Sequence, residues 1–407
     1  MPLGSVRTAG VVGSGTMGVG IAISLASAGI GVRLIDASPE ALERAGATIA
    51  EVLGAQVKRG KLSREDADAR AARIVLGSDL AGLAEVDVAI EAVFEDLALK
   101  RDVFARLGAI CAPDALLATN TSTLDVDAIS SAAVHPERSL GMHFFSPAHV
   151  MKLLEIVRGT QTQEAAIAAA VALGERIGKI PVVVGNCDGF VGNRMLLGYK
   201  REAEFAVLAG ASPARVDAAL EAFGFAMGPF AVSDLAGIDV GWRAKQERIK
   251  RGAAPPFAVS DLPDAMVAAG RLGQKAQRGY YRYEPGDRTR RPDPEVDAIV
   301  ARERERLAVP SREIGDDEIV ERCVYALVLE GARILDDGIA RSARDIDTIW
   351  VNGYGFPKER GGPMRFAEDL GVARVLARVS GFAATDPAFW RTSAALERAA
   401  REGRFDH

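Results

Sequence analysis

Residues 8–36 read TAGVVGSGTMGVGIAISLASAGIGVRLID, and this stretch decides the fold of the first part of the chain. The apolar run TAGVV predicts a buried parallel strand, and GVRLID predicts a second strand that ends at Asp36. Between them, Gly13, Gly15 and Gly18 stand in G-x-G-x-x-G spacing at the start of a small-residue helix. This order of strand, glycine turn, helix and strand predicts a Rossmann-type α/β domain.

The glycine turn also predicts a dinucleotide site. Gly13 permits the tight turn, Gly15 lets the backbone approach a pyrophosphate, and Gly18 lets the helix pack closely on the strand. The helix N-terminus, with Thr16 and Met17, then faces the phosphates.

The acid at the end of the second strand selects the cofactor. The carboxylate of Asp36 is placed to accept hydrogen bonds from the adenosine ribose and to repel a 2′-phosphate, so NAD is favoured over NADP. The alternative is a Gly-rich turn in an unrelated α/β protein. The flanking strand and helix, with the acid about 20 residues on, argue against that alternative.

Residues 39–73 are too long for a simple crossover, and their pattern is helical throughout. We expect a helical hairpin that projects from the sheet. Its tip is basic, with Lys58, Arg59, Lys61 and Arg64. Lys58 and Lys61 are candidate contacts for a polyanionic substrate, and the alternative is a solvated helix turn.

Further strands are predicted by RIVLGS, VDVAIEAV and LLATNTSTL, residues 73–78, 86–93 and 116–124. In an open α/β sheet, ligands bind beyond the carboxyl ends of the strands. Four polar residues follow such ends and are candidate site residues: Glu95, Lys100, Asn120 and Ser122. The alternatives are an exposed helix-surface lysine for Lys100 and a helix cap for Ser122.

The stretch LGMHFFSPAHVMKLLEIV, residues 140–157, places a histidine and a glutamate inside apolar runs. A buried imidazole and a buried carboxylate each cost free energy unless they are paired. We expect one strand to end near His143, Pro147 to interrupt it, and the next strand to carry Glu155. The two side chains can then meet around one turn.

Such a pair suits acid–base chemistry. A carboxylate bonded to one ring nitrogen fixes the tautomer and strengthens the other nitrogen as a base. That base could remove a hydroxyl proton while hydride leaves the carbon for nicotinamide. The alternative is a structural His–Glu pair, which the cofactor motif makes less favoured.

Five motifs occur in order along the chain: GSGTMG, EAVFEDLALK, NTST, GMHFFSPAHVMKLLEIV and GFVGNRML. Together they resemble the L-3-hydroxyacyl-CoA dehydrogenases, over essentially the whole chain. The resemblance implies that His143 is the catalytic acid/base and that Glu155 is its partner. It also implies that Asn193 holds the catalytic geometry near the substrate and that Ser122 hydrogen-bonds the reacting oxygen.

The same resemblance implies that Glu95 and Lys100 lie along the NAD site. Ser146 stands where the short single-function members often carry Asn, as it does in multifunctional fatty-acid oxidation proteins. GRLGQKAQRGYYRY, residues 270–283, resembles a more Gly-rich family segment, from which Gln277 and Arg278 depart.

The expected architecture is a Rossmann-type NAD-binding domain followed by two repeated, mostly α-helical C-terminal domains. The first domain is expected at 1–185, with its insertion at 39–73, and the first helical domain at 186–285. Residues 286–317, rich in Arg, Pro and acids, predict a linker, and 318–407 a second helical domain.

The second helical domain repeats the first in sequence. At one fixed offset, two pairs of residues align: Gly210 with Gly338, and Asp217 with Asp345. The same offset puts Glu321 where Asn193 stands, so we infer that the second copy lacks the catalytic Asn and is structural. The resemblance implies that it packs on the first copy as the second subunit does in the short dimeric enzymes.

Composition restricts the compartment and the partners. A net charge of −5 argues against nucleic acid, and no apolar run is long enough to span a bilayer. No signal peptide is evident at the N-terminus. Cys111, Cys187 and Cys323 are far apart and fit neither a metal cluster nor a disulfide framework. These features predict a reduced, cytoplasmic protein.

We therefore expect reversible, NAD-dependent oxidation of L-3-hydroxyacyl-CoA to 3-ketoacyl-CoA, with fatty-acid β-oxidation among the pathways left open. One alternative is a dehydrogenase of a hydroxy acid without CoA, and another is a non-catalytic NAD-binding or structural relative. The repeat favours a monomer, with a dimer as the other state. Since the chain starts at the NAD domain, we expect hydration of enoyl-CoA to need a separate hydratase partner.

Overall fold

The computed structural model describes residues 6–406, which form two compact units. Within the described residues, the first unit is 6–191 with 338–341, and the second is 192–337 with 342–406. The first unit therefore runs beyond the expected boundary at 185, to Val191, whose N–H donates to Glu155 at 3.3 Å. Residues 1–5, on which the expectation about a signal peptide partly rests, lie outside the described residues.

The first unit is built on an eight-stranded sheet with the order β3-β2-β1-β4-β5-β6-β7-β8. The first six strands run parallel, whereas β7 is antiparallel to β6 and parallel to β8. The order 3-2-1-4-5-6 is that of a dinucleotide-binding sheet, which confirms the predicted fold class. The strands are β1 Thr8–Val12, β2 Gly31–Ile35, β3 Ile74–Gly77, β4 Val88–Glu91, β5 Leu116–Thr119, β6 Ser139–Phe144, β7 Leu153–Arg158 and β8 Ile180–Gly185.

Six α-helices cover the two faces of this sheet. They are α1 Thr16–Ser27, α2 Pro39–Lys58, α3 Arg64–Ala72, α4 Leu97–Ile110, α5 Val126–Ser130 and α6 Glu164–Arg176. Side chains of α1, α2, α3 and α6 fill one apolar core, and those of α4 and α5 fill the other. Successive residues of the strands alternate between the two cores, because neighbouring side chains point to opposite faces.

The insertion at 39–73 forms the expected helical hairpin, made of α2 and α3. Each helix begins at a serine whose hydroxyl caps it: Ser38 accepts from the Ala41 N–H at 3.1 Å, and Ser63 from the Asp66 N–H at 3.0 Å. Between the helices, Gly60 turns the chain at a φ of 67°.

The second unit is mostly α-helical, as predicted. Its helices are α7 Gly192–Ala209, α8 Pro213–Phe223, α9 Pro229–Ala236, α10 Ile238–Lys250, α11 Leu262–Ala268, α12 Pro294–Arg306, α13 Asp316–Asp336, α14 Ala343–Gly353, α15 Pro363–Leu370, α16 Val372–Ala383 and α17 Ala394–Glu402. Strands β9 Arg282–Glu284 and β10 Asp287–Arg291 form a small hairpin. Within the described part of the chain, no helix combines the length and apolar character that a membrane crossing requires.

The segment 286–317, predicted as a linker, instead carries β10 and the thirteen-residue helix α12. Val296, Ile299 and Val300 are buried, and their spacing forms a helical apolar stripe. Asp293 caps this helix by accepting from the Glu295 N–H at 3.1 Å. The linker prediction was wrong because the charged face of α12 dominates its composition.

Helix α7 of the first copy and helix α13 of the second are joined by two reciprocal ion pairs between equivalent residues. Arg194 Nε lies 2.7 Å from Glu330 Oε1, and Arg322 Nη1 lies 3.1 Å from Glu202 Oε2. Arg194 corresponds to Arg322, and Glu202 to Glu330, at the offset that aligns Asn193 with Glu321. The two helices therefore match in the register expected from the sequence.

Beyond these helices the expected alignment fails. Asp217 accepts from two backbone N–H groups at the start of α9, and Asp347 does the same at the start of α15. Asp347 is therefore the counterpart of Asp217, two residues beyond the predicted Asp345. The register shifts because the connection from α13 to α14 is longer than that from α7 to α8.

One departure from the resembled family has a structural cost. Gln277 adopts a φ of 57°, in the left-handed region that favours glycine. Two residues further on, Gly279 cannot be replaced without a clash, since a Cβ there would lie 2.0 Å from Asp234 Oδ1.

Candidate active site

The glycine turn connects β1 to α1 and leaves room for a ligand. Gly13 has a φ of 101°, and its N–H donates to the Ile35 carbonyl at 2.8 Å. A Cβ on Gly18 would lie 1.8 Å from the Gly13 oxygen, so the helix could not start here with any larger residue. A Cβ on Gly15 would meet nothing within 4 Å. The open space above Gly15, at the N-terminus of α1, fits a pyrophosphate.

Asp36 lies just beyond β2. Its Oδ2 accepts from the N–H and the hydroxyl of Ser14, both at 2.8 Å, and its Oδ1 accepts from the Ser38 N–H at 3.0 Å. Burial disfavours the ionised form, but hydrogen bonds from Ser38 and Ser14 outweigh it and lower the pKa of Asp36. The carboxylate is therefore an anion at neutral pH, which suits NAD and repels a 2′-phosphate.

A buried ion pair lies at the carboxyl end of β4, and sequence reasoning missed Glu91, one of its two members. Glu91, the last residue of β4, accepts from Lys100 Nζ at 2.8 Å and from the Thr119 hydroxyl at 2.7 Å. Lys100 and Glu91 are both fully buried, so the exposed-lysine alternative is wrong. The missed signal was an acid that ends an apolar strand, nine residues before a lysine. The predicted contact between Lys100 and NAD stays a prediction.

Glu95 organises the turn after β5. Its Oε1 accepts from the Thr121 hydroxyl at 2.6 Å and from the Ser122 N–H at 2.8 Å, and its Oε2 lies 3.4 Å from Lys100 Nζ. Ser122 is exposed. Asp125, rather than Ser122, caps α5, so the helix-cap alternative for Ser122 is also wrong.

Asn120 ties three strand ends together. Its N–H donates to the Glu91 carbonyl at 2.8 Å, and its side-chain oxygen accepts from the Phe144 N–H at 2.9 Å. The amide therefore holds the end of β6 next to His143. A contact between Asn120 and NAD stays a prediction.

His143 and Glu155 face each other across β6 and β7, as the sequence predicted. They are direct partners in the antiparallel register, and His143 Nδ1 lies 2.8 Å from Glu155 Oε2. Only 4% of His143 and none of Glu155 is exposed. The rings of Phe145 and Phe190 lie 4.4 and 5.6 Å from the imidazole. When Nδ1–H donates to the carboxylate, the lone pair is on Nε2.

The remaining predicted residues fall elsewhere on the chain. Asn193 is in the first turn of α7, in the second unit, and its Oδ1 accepts from the Tyr354 hydroxyl at 2.9 Å. Sequence reasoning missed Tyr354, because it lies in the other helical copy. Lys58 and Lys61 are exposed at the tip of the helical hairpin.

Two family models match this arrangement of elements. Residues 8–187 match the NAD binding domain of 3-hydroxyacyl-CoA dehydrogenase, and residues 189–283 match its C-terminal domain. The chain belongs to the 3-hydroxyacyl-CoA dehydrogenase family. The resemblance stated from the sequence is thereby confirmed, as are membership of a family of NAD-dependent oxidoreductases and NAD as the cofactor.

Solved structures of this family align with the chain. A 3-hydroxybutyryl-CoA dehydrogenase from Escherichia coli is 29% identical and covers 98% of this chain and 99% of its own, with a TM-score of 0.86. A (S)-3-hydroxybutyryl-CoA dehydrogenase from Ralstonia eutropha is 36% identical and covers 69% of this chain and all of its own, with a TM-score of 0.65.

Longer relatives include peroxisomal bifunctional enzymes. That of Danio rerio is 46% identical over 92% of this chain and 53% of its own length, and that of Homo sapiens is 43% identical over 94% and 54%. The chain thus spans about half the length of these relatives. Their names contradict the cytoplasmic location predicted from the sequence, which was wrong because the cysteine content does not distinguish one reducing compartment from another.

Proposed function

We propose that the protein catalyses reversible, NAD-dependent oxidation of L-3-hydroxyacyl-CoA to 3-ketoacyl-CoA. The observation that carries the proposal is the buried pair of His143 and Glu155, on the neighbouring strands β6 and β7 of the sheet whose β1 leads into the glycine turn. A histidine so enclosed, with one nitrogen on a carboxylate, is arranged as an acid/base.

Bound at the glycine turn and Asp36, NAD would supply the acceptor for the hydride that leaves C3 of the substrate. His143 Nε2 takes the proton of the C3 hydroxyl, and in the reverse direction returns it to the ketone oxygen. Glu155 orients the ring through Nδ1 and stabilises the imidazolium that forms. Proton transfer to a placed base contributes roughly 10²–10⁴-fold.

Positioning of the substrate oxygen supplies a further share of the rate. Ser122 is held by its backbone bond to Glu95 and offers its hydroxyl to the reacting oxygen. The resemblance to the family supports a role for the side-chain amide of Asn193 in holding the substrate. Proposed contacts of Lys58 and Lys61 with CoA phosphates would add charge complementarity at the hairpin tip.

We propose that the protein acts on its own as a monomer. The reciprocal ion pairs of α7 and α13 support this, because they join the two helical copies within one chain. An enoyl-CoA hydratase is the partner that would supply its substrate.

The test compares turnover of acetoacetyl-CoA and free acetoacetate with NADH, for wild type and His143→Ala. We expect turnover of the thioester that collapses in the variant while NADH binding is unchanged. His135→Ala is the matched control, since His135 is half exposed and pairs with the nearby Glu137. Equal turnover of the free acid would favour the non-CoA hydroxy-acid alternative, and tight NADH binding without any turnover would favour the non-catalytic one.

A further inference from the structure

The hydroxyl of Tyr354 contacts the residue that the proposed function places near the substrate. Tyr354 lies immediately after α14, in the second helical copy, and donates to Asn193 Oδ1 in the first copy at 2.9 Å. An asparagine amide rotates about a broad, roughly two-fold torsion, so its oxygen and nitrogen can exchange places unless a partner holds them. With Oδ1 held by Tyr354, the Nδ2 donors point to the opposite side.

The Tyr354 ring is itself immobilised. It stacks on Trp350, with ring centroids 4.8 Å apart and planes at 26°. Trp350 is almost fully buried, and its Nε1–H donates to Met195 Sδ at 3.1 Å. A Cβ at Gly192 would also lie only 2.3 Å from the Tyr354 ring. The absence of a side chain at Gly192 therefore lets the ring lie against the first turn of α7.

The two copies differ at this point by one hydroxyl. The first copy has Phe223-Gly224-Phe225 where the second has Tyr354-Gly355-Phe356. The reciprocal ion pairs fix the alignment of the two copies, in which Glu321 of the second copy is equivalent to Asn193 of the first. The asparagine of the first copy thus contacts the tyrosine of the second, whereas the position equivalent to Tyr354 in the first copy is Phe223, which has no hydroxyl. A purely structural role for the second copy, as inferred from the sequence, does not require this hydroxyl.

We propose that Tyr354 is a positioning residue, which sets the orientation of the Asn193 amide for the bound thioester. The second helical copy then contributes to activity through one hydrogen bond. The inference rests on the proposed function, in which Asn193 lies near the substrate.

The test is a double-mutant cycle of Tyr354→Phe and Asn193→Ala, measured as kcat/KM for acetoacetyl-CoA with NADH. Because a single neutral hydrogen bond is lost, we expect Tyr354→Phe to lower kcat/KM roughly 3- to 10-fold. In the Asn193→Ala background the same change should have less than about a twofold effect, since coupled residues are not additive. The phenylalanine keeps the ring that packs on Trp350.

Tyr283→Phe is the matched control. It removes a buried hydroxyl in the same unit that donates to Asp234, at 2.9 Å, rather than to Asn193. We expect wild-type kcat/KM in this variant, and unchanged NADH affinity and similar unfolding midpoints in all five proteins.

Wild-type kinetics in Tyr354→Phe, or an equal loss in both backgrounds, would overturn the inference while leaving the proposed function intact. An Asn193→Ala variant with wild-type kinetics would also overturn it. A wild-type protein that binds NADH but does not turn over acetoacetyl-CoA would overturn the proposed function and the inference with it.

Discussion

Replacing Glu155 by glutamine tests the acid/base pair with almost no change in volume. Both carboxylate oxygens accept hydrogen bonds: Oε2 from His143 Nδ1 at 2.8 Å and Oε1 from the Val191 N–H at 3.3 Å. A glutamine has only one oxygen that can accept from these two donors, because its other terminal group is an amide NH2. If its oxygen accepts from the Val191 N–H, its amide NH2 group donates to His143 Nδ1, and the ring proton is then on Nε2. That tautomer cannot accept the hydroxyl proton in the oxidation. With Nδ1 accepting from the glutamine amide, the ring also cannot form the imidazolium that gives its proton to the ketone in the reduction.

The expected magnitude follows from the loss of the base. General acid–base catalysis by a positioned side chain contributes roughly 10²–10⁴-fold. We therefore expect Glu155→Gln to lower kcat by about 10²–10⁴, or about 3–5 kcal/mol of activation free energy. KM and NADH affinity should change little, because neither needs a particular tautomer of His143.

The assay follows NADH oxidation with acetoacetyl-CoA at saturating substrate. Glu164→Gln is the matched control: Glu164 is exposed, pairs with Arg158 at the end of the same strand, and should keep full activity when changed. A Glu155→Gln protein that retains more than about a tenth of wild-type kcat would refute the acid/base assignment.

Three further predictions follow from the same structure. Gly15→Ala should fold normally but weaken NADH binding about tenfold or more, whereas Gly18→Ala should lose about 1–3 kcal/mol of stability, since its Cβ overlaps the neighbouring turn. Lys100→Met should lower the free energy of unfolding by about 3–5 kcal/mol, because Glu91 is left buried without a counter-ion. Burial raises the pKa of Asp347 to about 7, so the folded state holds a proton that the unfolded state releases above its usual pKa of 3.8. The contribution of Asp347 to stability should therefore fall by about 2–3 kcal/mol from pH 5 to pH 8, and Asp347→Asn should make the pH slope in denaturant unfolding shallower by that amount.

Each of these has a control or a contradicting result. Gly54→Ala, with nothing within 4 Å of its Cβ, should leave NADH affinity unchanged. Arg106→Met breaks an exposed pair with Asp102 and should cost less than about 1 kcal/mol; an equal loss in Lys100→Met would contradict the burial argument. The same pH slope in wild type and Asp347→Asn would show that other groups titrate.

The local part of the fold could be predicted because its signals are contiguous. The strand, the glycine turn and the acid at Asp36 lie within one short stretch, and each has a steric or electrostatic reason for its place. The pairing of His143 with Glu155 was predictable for a similar reason, since one turn joins two strands and buried charges need partners.

What sequence reasoning missed depends on residues far apart in the chain. Nothing near Asn193 indicates that the hydroxyl of Tyr354 reaches it. In the sequence, Glu91 looks like any acid at the end of a strand, and only the structure shows its buried ion pair with Lys100. The misplaced Asp345 came from one longer connection, which changes the repeat offset without changing the character of either copy.

The reciprocal contacts between α7 and α13 determine how the association of the two helical copies depends on protein concentration. When two such helices belong to separate molecules, their association weakens as the concentration falls. Here one covalent chain carries both, so the contact is unimolecular and its strength is the same at nanomolar and micromolar protein. Covalent linkage also frees each copy to mutate alone, whereas identical subunits must change together. Tyr354 in one copy and Phe223 at the equivalent position of the other are such a difference, which two identical subunits could not have.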